Sequence, residues 1–181
     1  MKTTIFGNYA KLTLPYESNH ELIPGQCAKV NGKWLAVSES SGAELTFVVP
    51  NVSPLLSDTS FNIEYPVGPG FSHLDAPEVN CVAGGTGIGT MISVVAHRLP
   101  RGLSTSVQMY GRNVTKDDVT AVFPILKEID FGCWNTCHWG RPTMEEILVM
   151  PADHCVYFAG PKSLFDDIKQ HSSKHKIILN Y

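Results

Sequence analysis

Hydrophobic and polar positions alternate with a period of two through the first part of the chain and change to helical spacing after it. From Lys2 to about Phe71 the alternation keeps breaking at turn residues, the pattern of short strands that each turn one face to a core. "KVNGKWLAV" sets Asn31-Gly32 between two strand-like runs, and Asn-Gly supplies both positive φ angles of a type I′ hairpin turn. "ELTFVVP" and "SFNIEYP" alternate in the same way, the second with Phe61, Ile63 and Tyr65 on one face. A small antiparallel sheet or β-barrel is expected over residues 1–75.

Beyond "PVGPGFSHLDAPE" the units become strand then helix. "VNCVAGG" reads as a short buried strand, and Ile88, Met91, Ile92, Val95 and Leu99 recur at helical spacing after it. "TSVQMYGR" is the next strand. Thr115 is placed as an N-cap with Asp118 at N3, and Pro124 must kink or divide the helical region that follows. Thr143 with Glu146 forms a capping box for a third helix. "HCVYFAGP" reads as a strand, "SLFDDIKQH" as a helix and "KIILNY" as a last strand. This alternation implies an α/β domain over residues 76–181, with a five-stranded parallel sheet covered on both faces.

Composition narrows the function classes. With 181 residues, 43% of them hydrophobic and 17% charged, the chain needs no disulfide or metal to build a core. Its formal charge of -3 is scattered, without the Lys/Arg block of a nucleic-acid footprint. Five cysteines make an odd number that suits buried thiols in a reducing compartment. Lys2 is followed by mixed polar sequence, and no apolar run approaches the roughly 18 residues of a membrane span. A soluble cytoplasmic protein is expected, with no membrane span and no nucleic-acid partner. Cys133, Cys137 and His138, with His154 and Cys155 further on, match no common zinc or iron–sulfur spacing. No metal is expected.

The chemistry concentrates in "CVAGGTGIGTMISVVAHRL". A strand ending in Gly84-Gly85-Thr86-Gly87 and running into a helix presents backbone N–H groups at the positive end of a helix dipole, an anion site most often used for a nucleotide diphosphate. The P-loop pattern is absent, and GxGxxG is broken by Thr90. A short-chain dehydrogenase would need a YxxxK pair, whereas Tyr157 is followed four residues later by Pro161.

"VAGGTGIGTM" resembles the "AGGTGITPM" segment of the ferredoxin reductase-like family of flavoprotein oxidoreductases. "PVGPGF" resembles that family's GPxGxF at the end of the flavin barrel, "HWGRPTMEEIL" its "GRVTDVL", and "VYFAGPKSLFDDI" its "VYLCGPPGMMDAV". These stretches occur in the family's order from about Pro24 to the C-terminus. The flavour is nearest to electron-transfer subunits related to the dihydroorotate dehydrogenase reductase subunit. The resemblance implies a flavin-binding β-barrel, a second domain that binds NAD or NADP, and hydride transfer between the nicotinamide and FAD or FMN. It implies that Gly84, Gly85, Thr86, Gly87 and Ile88 cradle the pyrophosphate, with Arg112 at the adenosine end and Gly160-Pro161 at the nicotinamide side. Gly68, Gly70 and Phe71 fall in the motif that closes the flavin barrel. Tyr181 matches the aromatic residue that ends plant-type members and stacks on the flavin.

The departures cluster at the flavin. Where the family has RxYS, Lys33 stands for the arginine, Leu35 for the aromatic residue and Ala36 for the serine, with Trp34 and Ser38 as substitutes close by. The barrel is also shorter than the family's usual one. In the nucleotide half, Gly89-Thr90 replaces a proline and Ala159 replaces the cysteine of "CGP". Two functions follow. One is an NAD(P)H-dependent flavin oxidoreductase or electron-transfer subunit, with a pyridine nucleotide and a redox partner protein. The other is a non-enzymatic nucleotide-binding or interaction module that has lost flavin and serves as subunit or regulator of a partner.

Overall fold

Two tight turns set the register of the first sheet. In the computed structural model, which describes residues 1–17, 19–140, 143, 147, 155–171 and 176–179, β1 (Lys2–Phe6) and β2 (Tyr9–Pro15) pair antiparallel through Gly7-Asn8, with Phe6 opposite Tyr9. β3 (Cys27–Val30) and β4 (Lys33–Ser40) pair through Asn31-Gly32, whose φ angles of 47° and 79° are the two positive values of the expected turn. β5 (Glu44–Pro50) and β6 (Ile63–Val67) complete six antiparallel strands in the order β1-β2-β5-β4-β3-β6. Leu12, Leu14, Val30, Val37, Leu45 and Phe47 are buried inside it, with Phe61 and Ile63 packed beside Tyr65 as the alternation requires.

The second sheet holds β7 (Glu78–Gly84), β8 (Ser104–Gly111), β9 (Asp130–Asn135), β10 (Cys155–Ala159) and β11 (Lys176–Leu179), all parallel, in the order β11-β10-β7-β8-β9. Helices α1 (Ile88–Arg98), α2 (Lys116–Val122), α3 (Thr136–Trp139) and α4 (Lys162–His171) connect them. Thr115 and Asp118 make both bonds of a capping box, and at Pro124 the helix gives way to a 3₁₀ turn over Pro124–Glu128. Ile147 N–H donates to the Thr143 carbonyl at 3.1 Å. Glu146, the other half of the second expected capping box, lies outside the described residues.

The two sheets meet on α1. Its Gly89 lies so close to the first sheet that a Cβ there would stand 2.8 Å from Ser38 Oγ and 3.3 Å from Val48. Ser38 is the extra residue of a β-bulge, since Val37 faces Phe47 while Glu39 faces Thr46. The connecting segment is pinned as well. Phe71 stacks on Tyr157 with centroids 4.6 Å apart, and Tyr157 Oη donates to the Ser72 carbonyl at 2.6 Å. Arg98, fully buried, donates to the Leu74 carbonyl, to the Ser104 carbonyl at 2.7 Å and to Thr105 Oγ1 at 2.9 Å.

Replacing Arg98 by Met keeps the stem but leaves buried carbonyls unpaired, each costing about 1–3 kcal/mol. Arg98→Met is expected to lose roughly 3 kcal/mol in urea unfolding, whereas Arg101→Met, at an exposed site, stays within about 0.5 kcal/mol of wild type. Equal stability of the two variants would refute the clamp.

Candidate functional site

A cleft of about 680 Å³ opens at the C-terminal ends of β7, β8 and β10, lined among others by Tyr9, Gly85, Thr86, Arg112, Gly160 and Pro161. This is the edge at which open α/β sheets receive ligands. β7 ends at Gly84, Gly85 turns left-handed with φ +58°, and a 3₁₀ turn over Gly85–Gly87 leads directly into α1. Neither that turn nor α1 has a side-chain cap, so donors of the first turn stay available to an anion.

The glycines of this turn answer to two different requirements. A Cβ on Gly87 would stand 2.0 Å from the Ala159 carbonyl oxygen, one on Gly84 2.7 Å from Pro161 Cδ, and one on Gly160 2.9 Å from Gly84 Cα. These three are glycine because two turns of the protein pack backbone against backbone. A Cβ on Gly85 would meet only Tyr9, at 3.6 Å from its Oη, and of these four glycines Gly85 alone has a left-handed φ.

Tyr9 was not foreseen from sequence. The Gly7-Asn8 dipeptide between two alternating runs is a hairpin signal, but it does not say where the hairpin lands. It lands on the loop after β8: a Cβ on Gly7 would stand 2.1 Å from the Asn113 carbonyl oxygen, and Tyr9 Oη accepts from Arg112 N–H at 2.9 Å. Burial raises the Tyr9 pKa above the ordinary tyrosine value, the bond from Arg112 opposing in part. The Arg112 side chain is exposed at the cleft. Ile88 is buried as the first residue of α1.

The residues expected at a flavin differ in exposure and in what surrounds them. Lys33 and Trp34 are exposed at the turn end of β4, Trp34 to 61%. Leu35 and Ala36 follow half-buried, and Ser38 is sealed under α1 with its hydroxyl unpartnered. Gly68, at φ +85°, borders open space, whereas a Cβ on Gly70 would stand 2.5 Å from Ile23 Cγ2. Phe71 is buried against Tyr157. Tyr181 and His154 lie outside the described residues. All five cysteines are free thiols, and among the described residues no three His, Cys, Asp or Glu side chains converge as metal ligands. Among the described residues, too, no helix is long and apolar enough to cross a membrane.

No family model and no curated protein matches the chain. Solved structures do. The ferredoxin reductase of carbazole 1,9a-dioxygenase, in its FAD apo form, superposes with a TM-score of 0.80 at 15% identity over 99% of this chain and 64% of its own. The flavohem-like FAD/NAD-binding domain of nitric oxide dioxygenase from Vibrio cholerae O1 biovar El Tor gives 0.69 at 12% identity over 98% and 95%. An intact type IV self-sufficient cytochrome P450 monooxygenase gives 0.75 at 14% identity, over 98% of this chain and 26% of that one. The chain thus spans about a quarter of the P450 and under two thirds of the carbazole reductase. The fold is ferredoxin reductase-like: a six-stranded antiparallel sheet followed by a five-stranded parallel one.

Gly87→Ala should unfold the turn or shift it whether or not a ligand is present, and lower the melting temperature of the free protein. Gly85→Ala meets no atom closer than 3.6 Å and should cost only its left-handed strain, about 1–2 kcal/mol. Urea unfolding of both variants checks the order, and a Gly87→Ala protein as stable as Gly85→Ala would refute it.

The thiols should differ in reactivity. Cys137 is exposed, while burial pushes Cys133 up to about 11 and leaves it mostly protonated at pH 8. An aromatic disulfide reagent added to native protein at pH 8 should label Cys137 first, with Cys81 reacting only on denaturation. Early labelling of Cys133 or Cys81 would contradict this.

Proposed function

We propose that the chain is the reductase module of an NAD(P)H-dependent flavin oxidoreductase or electron-transfer subunit, of the kind associated with dihydroorotate dehydrogenase. It would work with a protein redox partner in the reducing cytoplasm, where its five free thiols are at home. One observation carries this reading. The cleft brings Gly85, Thr86, Arg112, Gly160 and Pro161, far apart in sequence, to one edge of the parallel sheet.

The residues present fit a pyridine dinucleotide. Uncapped donors at the start of α1 suit the diphosphate, the Gly85 conformation lets it approach closely, and the Arg112 guanidinium offers a cation to the adenosine-side phosphates. Arg112 suits a ribose 2′-phosphate without requiring one, so NADH and NADPH both remain candidates. Gly160 and Pro161 bound the opposite end, where the nicotinamide is expected. A flavin, FAD or FMN, would supply acceptance of two electrons and their onward release. Lys33 would offer its phosphate a point charge, and Gly68 an approach to backbone beside open space.

The β4 surface favours a second reading, a nucleotide-binding module without flavin that acts as subunit or regulator. Leu35 and Ala36 offer the isoalloxazine neither an aromatic ring nor a hydroxyl, and Ser38 is closed off by α1.

Calorimetric titration with NADH and NADPH is expected to give one site per chain. The visible spectrum after incubation with excess FAD or FMN and removal of free flavin separates the readings. A retained yellow chromophore supports the reductase, and a colourless protein that still binds nucleotide supports the module. A chain that binds neither NADH nor NADPH would sink both.

A further inference from the structure

Among the described residues, Tyr9 is the cleft residue that comes from the other sheet. It starts β2, directly after the Gly7-Asn8 turn, and its ring packs on Phe6 with centroids 5.9 Å apart. Packing alone would be served by phenylalanine. The hydroxyl therefore asks for a reason, since a buried polar group is costly unless it is bonded. Half of that reason is visible, because Oη accepts from Arg112 N–H at 2.9 Å and so holds the loop after β8 to the hairpin. The other half is the hydroxyl proton, which no acceptor takes among the described residues. Oη stands 3.6 Å from where a Gly85 Cβ would be and 3.3 Å from where a Gly111 Cβ would be. That is the gap between the two loops in which the cleft's anion donors are concentrated.

We propose that the Tyr9 hydroxyl donates a hydrogen bond to the diphosphate of the nucleotide in the cleft, so that the antiparallel sheet supplies a direct contact in the dinucleotide site. The inference rests on the nucleotide reading of that cleft. An oxygen accepting from Arg112 and donating to a phosphate oxygen forms a two-bond relay in which each bond polarises the next. Burial keeps the phenol protonated, and hence a donor, throughout the neutral range. A phosphate oxygen suits this place better than a neutral acceptor, because a charged acceptor makes the stronger hydrogen bond.

The test compares ADP with adenosine, by calorimetry, on wild type and Tyr9→Phe, with NADH titrated alongside. The variant keeps the ring and removes the hydroxyl. Affinity for ADP and NADH is expected to fall about tenfold, with adenosine unchanged. If Tyr9 only held the Arg112 loop in place, ADP and adenosine would weaken by the same factor, and the proposal would be overturned. Unchanged ADP affinity in Tyr9→Phe overturns it while leaving the nucleotide reading intact. A wild type that binds none of the three overturns both. A second measurement needs no variant: the Arg112 backbone amide proton of wild type should move downfield with ADP and with inorganic pyrophosphate but not with adenosine. An amide indifferent to both phosphates counts against the proposal even if Tyr9→Phe does not fold.

Discussion

The structure turns on a place where two backbones touch. The turn that ends β7 and the turn that ends β10 pack with no side chain between them, because Gly84, Gly87 and Gly160 each lack the atom that would collide. β7 and β10 are neighbouring parallel strands, so their ends must diverge or interlock. Interlocking fixes the first residue of α1, and with it the direction of the helix dipole and of the uncapped donors. The cleft is the space left beside that contact. Enlarging any of the three glycines would move the helix before it touched a ligand.

The same helix organises the join between the sheets. Its residues from Ile88 to Val95 are all buried, which a helix lying on only one sheet would not require. Gly89, one residue past the start of α1, lets β4 and β5 approach its outer face, and the bulge at Ser38 turns a side chain toward that contact. Three further ties surround it: Phe71 on Tyr157, Arg98 on the Leu74 and Pro77 carbonyls of the connecting segment, and the Gly7-Asn8 hairpin on the loop after β8. Phe71 and Gly70, placed by resemblance in the motif that closes a flavin barrel, have neighbours here that are protein. Phe71 belongs to the seam through Tyr157, while Gly70 packs against Ile23 and Pro24 of the loop before β3.

Local chemistry was legible wherever it was self-contained. Asn31-Gly32 and Thr115-Asp118 adopt their expected geometries because every bond they need lies within a few residues. The period-two and helical runs placed most strands and α1 because the spacing of apolar residues itself marks which face is buried. β9 was not read as a strand, since Asp130, Gly132 and Asn135 disfavour one. It forms because its edge pairs with β8, and Gly132 makes room for Gln108, whose Oε1 would stand 2.0 Å from a Cβ there. Tyr9 was illegible for a stronger reason: its partner, Arg112, is 103 residues away and is brought to it by the docking of a whole hairpin.

The glycine loop forms the strand–turn–helix junction its sequence implies, and packing within the protein accounts for several of its glycines. The sequence argument assigned its glycines to the approach of a diphosphate, but at Gly84 and Gly87 the approaching group is the protein's own β10 turn. Those two would be needed in this fold whether or not a nucleotide were bound, just as Gly160 would. Residues that the scaffold does not demand are the candidates for contact with a ligand. Gly85 keeps a left-handed conformation where an added Cβ would meet only Tyr9, Arg112 leaves its guanidinium exposed, and Tyr9 places a hydroxyl where a phenyl ring would pack. Applied to β4, the same criterion finds fewer such residues: Lys33 and Trp34 are exposed, and Leu35, Ala36 and Ser38 are absorbed into packing to different degrees. The cleft beside α1 therefore carries several features that packing does not require, and β4 carries mostly features that folding explains by itself.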